Sequence, residues 1–451
     1  MAKAGQKNTM FNILAVLVGA LLMGFLWRVR GTTGWGSSWG LLNAGFVFTM
    51  FLILVNGARQ KMNAGWLGLT SLSFMLTVPA WGTIIGQITG VLEDSELIET
   101  QKFVSIPSAV FQMLCLGFGV AVIFGIMLGR AYSSKQWKIL DFIIVIAIFY
   151  AVDLIAKATV SHWIIDAIQP QAAELFEEGL ALAGKDEGTA YKAYMSHFAD
   201  ISWAKKIAGG RNYFSAVQTI SSAFRAIAAI VATRFIVKDK VAAKTGLIVS
   251  AAFAFSITVS DLFFYFGNGG YHELGASAFP ESVYPWSCWE YFTGFIAGGI
   301  ITAFVLSLKK EDDVPEITFA KIPEKATTVL TFIMGYVFLI GVNLVRPILE
   351  RYDDSDYLIL CVILAVVVAA VIVFVVAKKL GVKAQDADMT AYSKMLFPIL
   401  TVSMIVTYMF LAIPEDMNYT GIGSVHNILV VASVVVILLW WAKYGLKAKS
   451  K

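Results

Sequence analysis

The sequence predicts an all-α fold, namely a polytopic helical membrane protein with about 12 transmembrane helices in a single integral membrane domain, residues 1–451. Apolar runs of about 20 residues, the length that crosses a bilayer as a helix, recur along the whole chain. Of all residues, 58% are hydrophobic and only 15% are charged, whereas soluble domains carry roughly 25% charged residues. Basic loops also alternate with acidic loops, as expected for a chain that crosses a membrane repeatedly.

The positions of the apolar runs give the individual spans. They lie near residues 11–29, 41–57, 66–92, 105–131, 138–165, 213–236, 244–267, 288–308, 326–345, 356–378, 393–413 and 426–443. The first run follows Lys3 and Lys7, as in a secretion signal, but no small-residue cleavage site precedes Trp27. We therefore expect this run to remain as the first membrane helix.

The charges of the connections predict the side of each loop. One set is basic and contains Arg59, Lys61, Arg130, Lys135, Lys138, Lys238, Lys240, Lys244, Lys309, Lys310, Lys321, Lys325, Lys378, Lys379 and Lys383. The other set is acidic and contains Glu93, Asp94, Glu96, Glu99, Glu273, Glu281, Asp353, Asp354, Asp356, Glu415 and Asp416. Because basic loops stay in the cytoplasm, both Lys-bearing termini are predicted to be cytoplasmic, in a bacterial inner membrane. Arg28 and Arg30 break this pattern, since they lie at the first outer connection.

The longest outer connection is predicted to be residues 166–212. Segments 171–182 and 189–207 have the pattern of short amphipathic helices, which would lie on the outer leaflet or cover a cavity. An ordered loop packed on the bundle is the alternative.

An internal repeat is a further hypothesis. Residues 37–40 (SSWG) resemble residues 287–290 (SCWE), and other spans overlay at the same offset of about 250 residues. Because six plus six helices in parallel repeat is a known transporter plan, halves 1–240 and 241–451 are an alternative to an unrepeated bundle.

Glycines four residues apart predict close helix packing, because small residues let helix backbones approach. The pattern occurs at Gly82, Gly86 and Gly90, at Gly125 and Gly129, and at Gly294 and Gly298.

Charges inside the apolar runs are the first candidates for function. Asp153, Lys157 and Ser161 recur every four residues, and Gln218, Ser222 and Arg225 are spaced four and three apart. Each set would share one helix face, so the two stripes are expected to line a common cavity. Asp153 can pair with Lys157, and Arg225 would then need a separate anion, either Asp261 or a bound substrate. A buried ion network that only fixes helix packing is the structural alternative.

The predicted outer helix ends hold a second set of candidates. They are Arg28, Arg30, Trp35, Trp39, Trp289 and Glu290, within segments rich in glycine and tryptophan. Arginine binds carboxylate, sulfate or phosphate in a forked geometry, and flat aromatic faces suit sugars or lipid head groups. An ordinary interfacial aromatic belt would explain the tryptophans but not the arginines. A polar route is expected from Arg28 and Arg30 inward to Asp153 and Arg225.

Several classes of function have no support in the sequence. His272 and Glu273 are the candidates for a catalytic base. No HExxH or paired-cysteine motif predicts a metal site. No nucleotide-binding glycine motif predicts a cofactor or ATP-driven transport by this chain. A net charge of +4 is too small to predict a nucleic-acid partner.

Two functional hypotheses of different classes follow. The first is a secondary transporter or permease for a small anionic or sugar-like solute, with membrane lipids as its other partner. The alternative is a membrane-embedded enzyme that modifies a lipid-linked or cell-surface glycan from the outer side, with His272 or Glu273 as base. A non-catalytic component of a larger membrane complex is a third interpretation.

Overall fold

The computed structural model describes residues 2–31, 36–56, 64–76, 106–168, 210–267, 279–308, 389–409 and 423–448, together with residues 170, 174 and 343. Within these ranges every regular element is a helix, and no strand occurs. The predicted all-α class is therefore confirmed.

Thirteen helices are named here in chain order, with bounds that follow the apolar runs. The first seven are α1 (Ala2–Arg30), α2 (Gly36–Asn56), α3 (Ala64–Met75), α4 (Ile106–Val120), α5 (Val122–Arg130), α6 (Ile139–Ala158) and α7 (Val160–Ile168). The others are α8 (Gly210–Val231), α9 (Lys240–Ser260), α10 (Leu262–Gly267), α11 (Pro285–Ser307), α12 (Met389–Thr407) and α13 (Val425–Lys443). A π-helical turn, Ala232–Ile236, extends α8, and a 3-10 turn, Gly445–Lys447, follows α13.

Eight helices within the described ranges are long and apolar enough to cross a membrane. They are Thr9–Arg30, Pro107–Arg130, Ile139–Ala158, Ala216–Ile236, Lys240–Ser260, Pro285–Ser307, Met389–Thr407 and Val425–Lys447. Shorter apolar helices, Gly40–Asn56 and Trp66–Met75, lie at the second and third predicted spans. The chain is thus a multi-pass helical membrane protein. Apart from residue 343, the predicted spans near 326–345 and 356–378 lie outside the described residues. The count of about 12 spans, the repeat and the cytoplasmic termini stay predictions.

The predicted fifth span, residues 138–165, is two helices rather than one. Thr159, between α6 and α7, has φ −140° and ψ −95°, which interrupts the helical backbone. Its hydroxyl donates to the carbonyl oxygen of Ile155 at 2.7 Å, a local bond that competes with the helical ladder. No Gly or Pro marks this position, so the sequence pattern did not predict the break.

Close packing by glycine joins α1 to α11, the most extensive helix pair among the described elements. A Cβ built on Gly298 would meet the carbonyl oxygen of Gly19, and one built on Gly294 would meet that of Met23. Since position 298 lies beside 19 and position 294 beside 23, the two helices are antiparallel. The close packing predicted from these glycines is confirmed.

The second glycine pair joins α5 to α9 in the same way. A Cβ on Gly125 would lie 2.7 Å from Val249 Cβ, and one on Gly129 would lie 2.5 Å from Thr245 Cβ. These helices are antiparallel as well, which agrees with the alternation of basic and acidic connections. Gly82, Gly86 and Gly90 lie outside the described residues, as does most of the connection 166–212.

The described helices form a continuous series of neighbours. α6 packs on α8, α8 packs on α4, and α4 and α5 pack on α9. α9 also packs on α11, and α11 packs on α1. α1 contacts α2 and α13, and α2 contacts α12. α4 and α9 therefore lie between the pair α6–α8 and the pair α1–α11.

Large apolar side chains cover much of the outer surface of the spans. Trp163, Phe235 and Leu439 are each about two-thirds exposed. Such side chains would be unfavourable in water but suit the hydrocarbon of a bilayer.

Replacing Gly298 with Ala is expected to destabilise the protein by about 1–3 kcal/mol, because the added methyl group overpacks the α1–α11 interface. The matched control is Gly299→Ala, where the new Cβ would meet Ala20 Cβ at 3.4 Å, an ordinary contact. The measurement is the apparent melting temperature in detergent at a fixed scan rate. Equal melting temperatures for the two variants would contradict the packing.

Candidate functional site

Asp153 is the centre of a buried ionic cluster between α6 and α8. We call Asp153, Lys157, Ser221 and Arg225 the Asp153 cluster. Lys157 Nζ lies 2.7 Å from Asp153 Oδ2, and Arg225 Nη1 lies 3.6 Å from Oδ1. Ser221 donates its hydroxyl to Oδ1 at 2.9 Å. The three charged side chains are almost completely buried, so the carboxylate balances its cations in a medium without bulk water.

The two cations approach Asp153 unequally. Lys157 is in close ion-pair contact with Asp153, whereas Arg225, at 3.6 Å, forms a looser ion pair without a hydrogen bond to the carboxylate. Arg225 also lies over the ring of Phe149, 4.7 Å from its centroid, in a cation–π contact. Asp153 thus takes the place of the separate anion that the sequence analysis assigned to Arg225.

Helix periodicity places these groups together. Lys157 follows Asp153 by four residues and Phe149 precedes it by four, so the three side chains share a face of α6. Ser221 precedes Arg225 by four residues on α8. Because α6 and α8 pack side by side, the two faces meet at Asp153.

The rest of the predicted polar stripes is distributed differently. Ser222 faces α4, since a Cβ on Gly119 would lie 2.5 Å from Ser222 Cβ. Ser221, one position earlier, is the residue that reaches Asp153. The backbone carbonyl of Gln218 accepts bonds from both serine hydroxyls at 2.9 Å. Ser161 is buried on α7, beyond the break at Thr159.

A second buried ionic cluster joins α1 to the start of α11. We call Arg28, Arg30 and Glu290 the Glu290 cluster. Arg28 Nη1 donates to Glu290 Oε2 at 2.9 Å, and Arg30 Nη2 lies 3.6 Å from Oε1. All three residues are buried. The arginines that violate the charge pattern of the loops are therefore inside the protein, beside a carboxylate.

Glycine and tryptophan make room for the Glu290 cluster. A Cβ on Gly31 would collide with the carboxylate of Glu290, and one on Gly40 would collide with the backbone of Arg30. The guanidinium of Arg30 lies 4.3 Å from the centroid of the Trp27 ring. In this conformation Gly31 leaves space for the side chain of Glu290, and Gly40 leaves space for Arg30.

Polar residues at the end of α12 and the start of α13 continue the Glu290 cluster, and they were not among the predicted site residues. The guanidinium of Arg28 lies 5.9 Å from the centroid of the Tyr408 ring. Tyr408 donates its hydroxyl to Asn427 Oδ1 at 2.5 Å, and Asn427 Nδ2 donates to Ser424 Oγ at 2.8 Å. His426 is fully buried next to them. The run Ser-Val-His-Asn at the start of an apolar span was the available signal.

Trp289 and Asp261 are also buried, but neither side chain belongs to the Asp153 cluster or to the Glu290 cluster. Trp289 donates its indole N–H to the carbonyl oxygen of Ile257 at 3.3 Å, which links α11 to α9. Asp261 follows the last residue of α9, and neither carboxylate oxygen has a hydrogen-bond partner in the described part of the chain. Asp261 therefore lies apart from Arg225.

Three predicted site residues fall outside the described residues, namely Trp35, His272 and Glu273. Trp39 lies in α2, but its side chain is not among those described. Among the residues that are described, no group of three or more His, Cys, Asp or Glu side chains could hold a metal ion.

The two clusters share one arrangement. In each, a carboxylate holds one cation by a short bond and an arginine at 3.6 Å. They lie on different helix pairs with α4 and α9 between them, so the polar route expected from the sequence stays a prediction. Chemically, each cluster holds a guanidinium group in a buried site. There the guanidinium group can exchange one anionic partner for another.

Changing Glu290 to Gln is expected to lower the free energy of unfolding by about 3–5 kcal/mol, because it removes the buried carboxylate that both arginines face. Glu281→Gln, at an exposed residue just before α11, is the matched control and should change little. The measurement is the apparent melting temperature of each variant in detergent. In a double-mutant cycle, Arg30→Gln combined with Glu290→Gln should recover part of the loss; no recovery would contradict the pairing.

The chain matches no protein-family model, no curated protein and no solved structure. Its function must therefore be inferred from the residues themselves.

Proposed function

We propose that this protein is a secondary transporter or permease for a small anionic or sugar-like solute, and that Arg225 contacts the solute. The observation that supports this most is the Asp153 cluster itself. It contains three charged side chains that are buried together on two apolar helices. Ionisable residues in membrane spans are rare and commonly mark substrate or ion pathways.

The depth of the cluster supports the proposal. At 1.5 Å per residue, Asp153 lies about 21 Å along α6 from Ile139, and Arg225 lies about 17 Å from Ile236 along α8 and its π turn. The hydrocarbon core of a bilayer is about 30 Å thick. Arg225 is thus far from either end of α8 and its π turn, at the depth where transporters bind their substrates. Asp153 faces Arg225 from α6 and lies about 8 Å along that helix from Ala158, close to the break at Thr159.

The unequal ion pairs give Arg225 its proposed role. A solute carboxylate or phosphate could take the place of Asp153 beside Arg225 and gain two parallel hydrogen bonds from the guanidinium. Asp153 would remain paired with Lys157 at 2.7 Å throughout the exchange. The exchange therefore leaves no buried charge without a partner, which keeps its free-energy cost low.

The Glu290 cluster would act at the predicted outer end of the spans. Arg30, at 3.6 Å from Glu290, has the same loose pairing as Arg225 and would first contact the anion there. The alternative enzyme hypothesis depends on His272 and Glu273, which lie outside the described residues, and no described feature favours it over transport.

Replacing Arg225 with Gln is expected to abolish uptake of the transported anion while the protein still folds, because Lys157 continues to pair with Asp153. The measurement is uptake of a panel of radiolabelled carboxylates, phosphates and sugars into proteoliposomes. Arg225→Lys should restore part of the uptake at most, since lysine lacks the planar fork.

The matched control is Arg234→Gln on the π-helical turn after α8, at a partly exposed residue, which should transport normally. If the protein takes up an anion and Arg225→Gln takes it up at the same rate, Arg225 has only a packing role. If Arg225→Gln melts at a much lower temperature than the parent, the main role of the Asp153 cluster is to stabilise the fold.

A further inference from the structure

Asp261 differs from the other buried acidic residues of the described chain. Asp153 and Glu290 are paired with cations, and Asp239 accepts from Trp137 Nε1 at 2.7 Å and from the amide of Ala242 at 2.8 Å. Asp261 is 3% exposed, and within the described residues both of its carboxylate oxygens lack a hydrogen-bond partner. It is therefore the described carboxyl group whose surroundings least favour a negative charge.

The position of Asp261 is set by α9 and the helices around it. Its backbone N–H donates to the carbonyl oxygen of Ile257 at 3.2 Å, so its backbone continues α9. The indole of Trp289 on α11 contacts the same carbonyl group. Ser260, the preceding residue, is also buried, and its hydroxyl has no partner in the described part of the chain. The end of α9 thus has buried polar atoms that lack hydrogen-bond partners among the described residues.

Within the described residues Asp261 has no ion pair or hydrogen bond from its carboxylate, and its side chain is buried. The helices packed against α9 carry titratable groups elsewhere. Among the side chains that are described, these are Cys115 on α4, Arg130 on α5, Arg225 on α8, Arg234 on the π-helical turn, and Cys288, Glu290 and Tyr291 on α11. Arg225 and Glu290 are engaged in the two ionic clusters described above.

We propose that Asp261 is a proton-binding site, neutral in this conformation, and that its proton is the coupling ion of the transporter. The second part of this proposal rests on the proposed function, whereas the first part does not. The carboxylate would take a proton from water when Asp261 is accessible from one side of the membrane, and the resulting acid would release that proton to water when Asp261 is accessible from the other side. Asp153 is not suited to this role, because Lys157 and Arg225 stabilise its ionised form.

The first part can be tested with dicyclohexylcarbodiimide, an apolar reagent that reacts with protonated carboxyl groups. The acid transfers its proton to a carbodiimide nitrogen, the carboxylate adds to the central carbon, and the product rearranges to a stable N-acylurea with no leaving group. At about pH 8 an ordinary exposed carboxyl group is ionised. Peptide mass spectrometry of the protein in liposomes at this pH should find the adduct on Asp261.

The chain supplies its own controls for this labelling. Glu281 is an exposed carboxyl group, Asp239 is buried and hydrogen-bonded, and Asp153 is buried and ion-paired. None of the three should carry the adduct at about pH 8. Asp261→Asn should lose the adduct yet melt like the parent, because a neutral amide replaces a neutral acid. Labelling of Asp239 and Asp153 in preference to Asp261, or a large loss of stability in Asp261→Asn, would overturn the proton site.

The second part is tested by uptake into the same proteoliposomes. An inwardly directed proton gradient should accelerate uptake by the parent, and Asp261→Asn should lose this acceleration while still exchanging solute at equal pH. Uptake that follows a sodium gradient with no proton gradient would overturn the coupling role, even if Asp261 is labelled. Labelling without any uptake would count against the proposed function and leave the proton site supported.

Discussion

A carboxylate shared by two cations is the interaction on which both candidate sites depend. A lone cation in the hydrocarbon region is costly, and a lone carboxylate is costly too. Asp153 neutralises the buried cations between α6 and α8, and Glu290 neutralises those between α1 and α11. Each arrangement works only if two helices hold their charged faces together, so the packing of the spans and the electrostatics of the sites are one constraint.

The α1–α11 interface shows how that constraint is met. Glu290, Gly294 and Gly298 are spaced four residues apart, so they share one face of α11. The glycines bring this face into contact with the backbone of α1, and the same approach carries Glu290 to Gly31 and Arg28. The close packing that membrane helices achieve with small residues thus also delivers the charge that the two arginines need.

The sequence predicted those parts of the structure that depend on local periodicity. The spans follow from apolar length, and the bond between Asp153 and Lys157 follows from their spacing of four residues. The partnership of Arg28 with Glu290 joins positions 262 residues apart, which no local pattern can show. The choice of Ser221 over Ser222 depends on the rotation of α8 against α6. The sequence pattern did not predict Tyr408 and Asn427 as site residues, because neither residue places a charge in its apolar run.

If the proposed proton and anion sites are coupled, α9 has to connect them. Asp261 follows the last residue of α9, whereas the Asp153 cluster lies between α6 and α8, of which α8 contacts α9. A proton bound at Asp261 can favour one arrangement of the Asp153 cluster only if α9 packs differently against its neighbours in the two states. Gly125 and Gly129 hold α5 against α9 with almost no free space. So tight an interface resists gradual deformation, and a shift of α9 would therefore move α5 with it. Because α5 also contacts α8, such a shift would act on the helix that carries Arg225.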